Sequence, residues 1–342
     1  MALKEQLTKP RYQIIGGVVL AALVLILIVS MNSGSSPSVQ QNTNQVNGEP
    51  TLTLAAPIMA SACTSNNTCF VLGSSSGTGT GATSAQVSKG TSWASLDLPH
   101  ANSPTFQGSS CWNDGCIIFG SSIDGDLLWR FSSTSASVVA LASPTISSAV
   151  EAVSCFAPNS CAVIDMGGKD SAAQFFLTTD AGVTWTSRVA TPFDATSLSC
   201  TSSKRCVAAS ANSTWSTSNS GQTWFQSTPL TGTLTNLSCS LSNCVAKDTG
   251  TTHSHLWRSS DFGKTWTASL IAGQTFAFAC LNTEHCVSAG QNKVGTGMVT
   301  AITGSSFSPL PVSYFPNPIT TLACGSSRCV AGGLYSVALF KP

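Results

Sequence analysis

The sequence predicts an all-β fold, a seven-bladed β-propeller with one disulfide per blade, preceded by a single N-terminal transmembrane helix. Fourteen cysteines form seven near-neighbour pairs that recur every 39 to 48 residues, the size of one four-stranded blade. Between the pairs lie short runs of alternating apolar and polar residues broken by Gly, Asn and Ser, the pattern of strands and turns. Ahead of them stands one uncharged apolar run long enough to cross a bilayer.

Residues 1–13 carry Lys4, Lys9 and Arg11 against Glu5 alone, and the positive-inside rule assigns them to the cytoplasm. Residues 14–31 (IIGGVVLAALVLILIVSM) hold no charge, and at ~1.5 Å per residue they reach ~27 Å, close to the ~30 Å hydrocarbon core. They predict a signal anchor. A cleavable secretory signal is the competing reading and would leave the protein secreted, but no A-x-A site follows Ser30. Residues 32–50 are polar and rich in Ser, Asn and Gln, which predicts a flexible linker. The expected location is therefore the cell membrane, single-pass, with residues 51–342 extracytoplasmic. The even cysteine count agrees, since a cytosolic pool would keep these thiols reduced.

The predicted pairs are Cys63/Cys69, Cys111/Cys116, Cys155/Cys161, Cys200/Cys206, Cys239/Cys244, Cys280/Cys286 and Cys324/Cys329. The reason is local geometry. In the clearest repeat ATSLSC ends a strand at Cys200, TSSKR makes a polar loop, and CVAAS begins the return strand at Cys206. Residues opposite one another in such a hairpin lie within disulfide reach. Zinc is the competing use of paired cysteines, but its sites favour C-x2-C spacing or intervening His. No metal and no cofactor is expected.

A third strand follows at 213–218, and a fourth begins at Gln222 after the turn Asn219-Ser220-Gly221. The third blade repeats this order, with strands starting at Cys161, Ala172 and Val183. The final repeat contains only three strands, ending with VALFKP. The alternating TLTLAA, Thr51 to Ala56, has no other place and is expected to complete the last sheet, closing the ring and removing its exposed edges.

The turn between third and fourth strands carries a signature: TTDAGVTW from Thr178 to Trp185, TSNSGQTW from Thr217 to Trp224, and SSDFGKTW from Ser259 to Trp266. Asp180, Asn219 and Asp261 can bond the backbone of their own turn, Gly182, Gly221 and Gly263 permit positive φ, and Trp185, Trp224 and Trp266 offer large apolar faces to pack between sheets. These turns resemble the Asp-boxes, or BNR repeats, of the sialidase-like propeller superfamily, which includes photosystem II assembly and stability factor-like propellers. The resemblance covers residues 51–342 as architecture and is specific in three blades. It implies structural roles for the nine residues just named.

The sialidase chemistry that the resemblance implies lacks its parts. That site uses an arginine triad, a Tyr nucleophile paired with Glu, and an Asp acid/base, whereas here no Arg lies between Arg11 and Arg130 and no F/Y-R-I-P motif occurs. The assembly-factor relatives imply binding of a protein partner without catalysis, although their Arg-rich partner patch has no counterpart here. With 8% charged residues and a net charge of +1, nothing suggests a nucleic-acid surface. There is also no phosphate loop, G-x-S-x-G elbow or unpaired Cys nucleophile.

With strands ordered from the axis outwards, the disulfide hairpins and signature turns share one face. The opposite face carries loops 121–126, 165–171, 247–255, 291–297 and 312–318, the expected recognition surface. Its candidate ligand contacts are Asp124, Asp126, Asp165, Asp170, Asp248, His253, His255 and Tyr314, and Asp194 shares the loop position. His253 and His255 have the i, i+2 spacing of a metal pair on an extended segment, against the commoner pair of exposed loop histidines. Glu151 interrupts the inner strand SAVEAVSC, where it can point into the channel, and a hydrogen-bonded structural carboxylate is expected ahead of a catalytic one. The expected function is a non-catalytic binding or scaffolding module for an extracellular glycan or protein ligand. The alternative is an extracellular glycoside hydrolase of sialidase-like fold, which needs two carboxylates at the mouth.

Overall fold

The computed structural model describes residues 51–342 apart from 55, 75–82, 91, 100–103, 123–124, 136, 142–145, 147–149, 166–171, 249–253, 272–273 and 313–314. The predicted N-terminus 1–13, transmembrane segment 14–31 and linker 32–50 lie outside them. Among the described residues no helix is long and apolar enough to cross a membrane.

Twenty-eight strands among the described residues form seven antiparallel sheets of four. The innermost strand of each sheet lies against that of the next: Ile58–Cys63, Thr105–Cys111, Val150–Ala157, Ser197–Cys200, Leu234–Ser240, Gln274–Cys280, Thr321–Cys324, and back to Ile58–Cys63. This is a closed seven-bladed propeller. Thr51–Thr53 pairs with Ser336–Phe340 as the outermost strand of the seventh blade, so the first strand of the ring and its last blade share a sheet. Leu52 and Leu54 are buried there beside Val337 and Leu339.

All seven predicted disulfides form: Cys63–Cys69, Cys111–Cys116, Cys155–Cys161, Cys200–Cys206, Cys239–Cys244, Cys280–Cys286 and Cys324–Cys329. In every blade the two cysteines are direct register partners across the first hairpin. Their surroundings differ from what a hairpin on one face of the disc suggests. The second cysteine of each pair is closed off from solvent: Cys69, Cys116, Cys161, Cys206 and Cys329 are 0% exposed, Cys244 1% and Cys286 2%. These seven are core residues and offer no surface to a ligand. The reason is their place in the second strand, which lies between the innermost and third strands of its own sheet and under the neighbouring blades. The first cysteines stand on innermost strands, at the wall of the axial channel, and five of them, Cys111, Cys155, Cys239, Cys280 and Cys324, are only partly buried.

The return strands CFVLG, CIIFG, CAVID and CVAAS read as nearly continuous apolar runs because each blade is covered on both faces. Phe70 and Leu72 pack towards the second blade while Cys69 and Val71 pack towards the seventh. Seven buried clusters result, each shared by two neighbouring blades.

A serine just before the first cysteine adds a polar clamp between blades. The backbone N–H of Cys155 donates to Ser110 Oγ (2.8 Å), that of Cys200 to Ser154 Oγ (2.8 Å), and that of Cys239 to Ser199 Oγ (2.9 Å). Each hydroxyl thereby satisfies a donor of the neighbouring sheet's innermost strand.

The signature turns spend their polar groups on themselves. Asp261 accepts from Ser259 Oγ (2.8 Å), from the backbone of Lys264 (3.1 Å) and Thr265 (2.9 Å), and from Thr265 Oγ1 (2.6 Å). Asp180 accepts equivalent bonds from Thr178 and Thr184. Asn219 reproduces the set with one polarity reversed, its Nδ2 donating to Thr223 Oγ1 (2.8 Å). Burial pushes the Asp261 carboxyl up, but these donors more than offset it and take it down to about 2; Asp180 is lowered for the same reasons.

These bonds also correct the outer strands. The sequence starts them at Val183 and Gln222, yet they begin at Thr186 and Phe225. The N–H groups of Thr184 and Thr223 already serve the turn carboxylate or amide, so they cannot join a ladder.

Gly221 has φ +78°, and it is also a wedge: a Cβ there would stand 2.5 Å from the Phe175 ring of the preceding blade. Gly263 sits the same way against Val207, at 2.7 Å. The tryptophans complete the joint. Trp266 Nε1 donates to Thr214 Oγ1 across the blade boundary (2.9 Å), and Trp224 meets the Phe175 ring edge-on.

Candidate functional site

Disulfide hairpins and signature turns meet on one face, where the turn N–H groups of Ala181, Ser220 and Phe262 donate to the hairpin carbonyls of Asn159, Lys204 and Ser242. Three arginines on this face are engaged too. Arg258 donates to the Thr283 and Gly304 carbonyls, both at 2.6 Å, Arg205 lies 4.3 Å over the Phe262 ring, and Arg328 donates to the Gly90 carbonyl. Charge that is already satisfied in this way is poorly available to a ligand.

The channel on the axis differs. It has a volume of about 770 Å³ and is walled by the innermost strands of all seven blades, within the ~300–1,000 Å³ typical of ligand pockets. Its lining is mainly Ser, Thr, Asn, Gln and small apolar groups, with the disulfides towards the turn face. Among the described lining residues Glu151 is the only ionisable side chain that remains free to titrate.

Strand irregularities shape the other end of the channel. The pairing of innermost and second strands slips at Met59, Gln107, Glu151 and Phe276, each four residues before its blade's first cysteine, and across Asn236 and Leu237 in the fifth blade. A bulged residue leaves the ladder and is re-aimed. Met59 and Phe276 are accordingly 44% and 45% exposed although they belong to innermost strands. Gln107, Glu151, Thr196, Phe276 and Thr320 occupy this one layer of the channel wall.

Glu151 has no hydrogen-bond partner among the described residues. Partial burial, with a smaller push from the Asp194 charge, raises its carboxyl to about 7. Asp194 itself is exposed.

The other sequence candidates that are described do not converge. Asp124, Asp170, His253 and Tyr314 lie outside the described residues. Asp126 is in the strand Gly125–Ser132, in register with Ser121. Asp165 and Asp248, expected as surface contacts, are instead 3% and 5% exposed. Each ends a second strand that is flanked on both sides, Asp165 in register with Val150 and Gln174. Asp248 accepts from the His255 backbone (2.8 Å), Trp257 Nε1 (3.2 Å) and the His255 ring at Nδ1 (2.7 Å). With Nδ1 so engaged, His255 is held as part of its own blade. Sequence reasoning missed Lys247, a buried lysine that donates to the Asp248 carbonyl (2.8 Å) and whose ammonium is depressed by desolvation, partly countered by Asp248. No spacing signals it. It also missed the bulged layer, although counting four residues back from each first cysteine would have aligned it.

No protein-family model matches the chain, and no curated protein resembles it in sequence. Its fold is similar to that of solved structures. "YCF48 from Cyanidioschyzon merolae" has TM-score 0.59 and 13% identity, covering 84% of this chain and 97% of that one. "YCF48 bound to D1 peptide" has TM-score 0.58 and 13% identity, covering 89% and 100%. A chain of the "Crystal Structure of Mitotic Checkpoint Complex" has TM-score 0.61 and 9% identity, covering 94% and 99%. At these identities the likeness establishes the propeller fold alone.

Proposed function

We propose that the chain is a membrane-anchored, extracytoplasmic propeller of the Asp-box kind that binds a protein ligand at the face opposite its signature turns and performs no chemistry of its own. One observation carries the reading: on the turn face Asp180, Asn219, Asp261 and three arginines are engaged within the protein, whereas the channel mouth on the other face holds a carboxylate with no hydrogen-bond partner among the described residues and an exposed aromatic. A propeller of similar fold is known with a bound peptide, which favours a protein over a glycan ligand. Anchoring is supported by the uncharged segment 14–31, and an oxidising compartment by the seven disulfides.

The test places a photo-crosslinking amino acid at Thr320, on the channel mouth, and at Thr223, on the turn face, in the full-length protein in its own membrane. Protein adducts are expected from position 320 and not from 223; the reverse pattern rejects the chosen face. Turnover of aryl glycosides that is lost on Asp194→Asn would establish the hydrolase instead. Retention in the membrane after alkaline carbonate washing, together with digestion by protease added to intact cells, checks the anchor and its orientation.

A further inference from the structure

We propose that the bulged layer around Glu151 is a cation subsite that accepts the ammonium or guanidinium end of a lysine or arginine side chain from a peptide ligand entering the channel. The inference rests on the binding reading above and names the chemistry that would be recognised there.

Among the described residues the channel wall contains one titratable side chain and no basic one, so no described wall residue neutralises Glu151. A partly desolvated carboxylate without hydrogen bonds stabilises an arriving cation more than a fully hydrated one does, because part of its own desolvation cost is already met in the fold. Asp194 adds negative potential at the same place. Phe276 lies in the sixth blade and Glu151 in the third, nearly across a seven-membered ring, so a side chain on the axis meets a carboxylate on one wall and an aromatic on the other. Exposed at 45%, Phe276 has ring surface to spare for the aliphatic stem of a lysine or for a guanidinium plane. Gln107, Thr196 and Thr320 complete the layer with neutral hydrogen-bonding groups. A free acid would meet repulsion here, and a purely apolar side chain would bury the carboxylate without a partner.

The experiment uses the full-length protein in detergent micelles and four probes: capped tripeptides Ala-Lys-Ala, Ala-Arg-Ala and Ala-norleucine-Ala, and 1,5-diaminopentane, titrated by saturation-transfer NMR and calorimetry. The lysine and arginine peptides are expected to bind, the norleucine peptide at least tenfold more weakly, and the diamine more weakly than either cationic peptide. Glu151→Gln should cost about tenfold in lysine-peptide affinity and Phe276→Ala about threefold, with added salt weakening the wild type. A relocation variant guards against misfolding. Gln107→Glu combined with Glu151→Gln moves the carboxylate one blade along the same layer and should restore affinity. Equal binding of lysine and norleucine peptides, unchanged affinity in Glu151→Gln, no binding by any probe, or failure of the relocated carboxylate to rescue each overturns the subsite. Tighter binding of the diamine than of the peptides overturns the peptide source. A protein crosslinked through position 320 whose capture is indifferent to Glu151→Gln would overturn the subsite and leave the broader binding reading standing.

Discussion

The carboxylates of the signature turns and the carboxylate of the channel mouth are the same functional group in opposite environments. Asp261 is surrounded by donors and held down to about 2, whereas Glu151 has none among the described residues, lies near the Asp194 carboxylate and is raised to about 7. The first arrangement stabilises the ionised form and fixes a turn. The second disfavours the ionised form, because partial burial and a nearby carboxylate both oppose it. In this molecule, therefore, the more conspicuous acidic motif is bonded within its own turns, and the isolated Glu of an innermost strand is the carboxylate at which we propose recognition.

Both environments depend first on the ring being closed, and the largest effect is expected from breaking it. Deleting residues 51–56 removes the outermost strand of the seventh blade with buried Leu52 and Leu54. At ~2–5 kcal/mol for each large buried side chain lost, the melting temperature should fall by about 10 °C or more. Deleting residues 33–47 should leave it unchanged. Equal melting temperatures for the two deletions, measured by calorimetry, would reject strand closure.

A smaller loss tests whether the turns act as wedges between blades. Gly221→Ala meets both the positive φ and the Phe175 ring 2.5 Å away, whereas Gly295→Ala meets positive φ with nothing within 4 Å. Chemical denaturation should show a loss of about 2–4 kcal/mol for the first and about 1–2 kcal/mol for the second. Similar losses would mean that backbone conformation alone explains the glycine.

The turn carboxylate can be tested by the replacement the fourth blade already carries. Asp261→Asn should be nearly neutral at pH 7, since Asn219 supports an equivalent bonded turn, while Asp261→Ala should cost about 1 kcal/mol. Because folding lowers the Asp261 carboxyl from 3.8 to about 2, its contribution is present above pH ~3.8 and is lost as pH falls towards 2. Acid unfolding of the Asn variant should lack that part of the wild-type decline.

Glu151 should give the opposite sign and the smallest effect. Folding raises its carboxyl from 4.5 to about 7, so its contribution is complete below pH ~4.5 and is lost as pH rises through about 7. Glu151→Gln should therefore match the wild type near pH 4 and melt slightly higher at pH 8, the gain kept small by solvent screening of a half-exposed group. A Gln variant less stable than the wild type at pH 8 would show that Glu151 has a structural partner after all.

Much of this architecture is legible in the sequence because its signals are local. A cysteine pair five or six residues apart reports a hairpin, and a hairpin sets its own register; the seven repeats, their disulfides and the strand at 51–53 follow from spacing and alternation. The turn residues are legible for the same reason, since Asp180, Asn219 and Asp261 bond within four residues of themselves. Composition and spacing by themselves thus determined the fold class, the blade count, the pairing and the closure. Only the tertiary structure decided that the second cysteine of each bridge is sealed in the core, that Asp165 and Asp248 are buried, that Gly221 seats the Phe175 ring, and that slipped strand pairings turn Glu151 and Phe276 into one layer of a channel. Those outcomes depend on what the neighbouring strand or blade supplies, often from residues more than forty positions away, and on the position of a bulge, which local alternation does not encode.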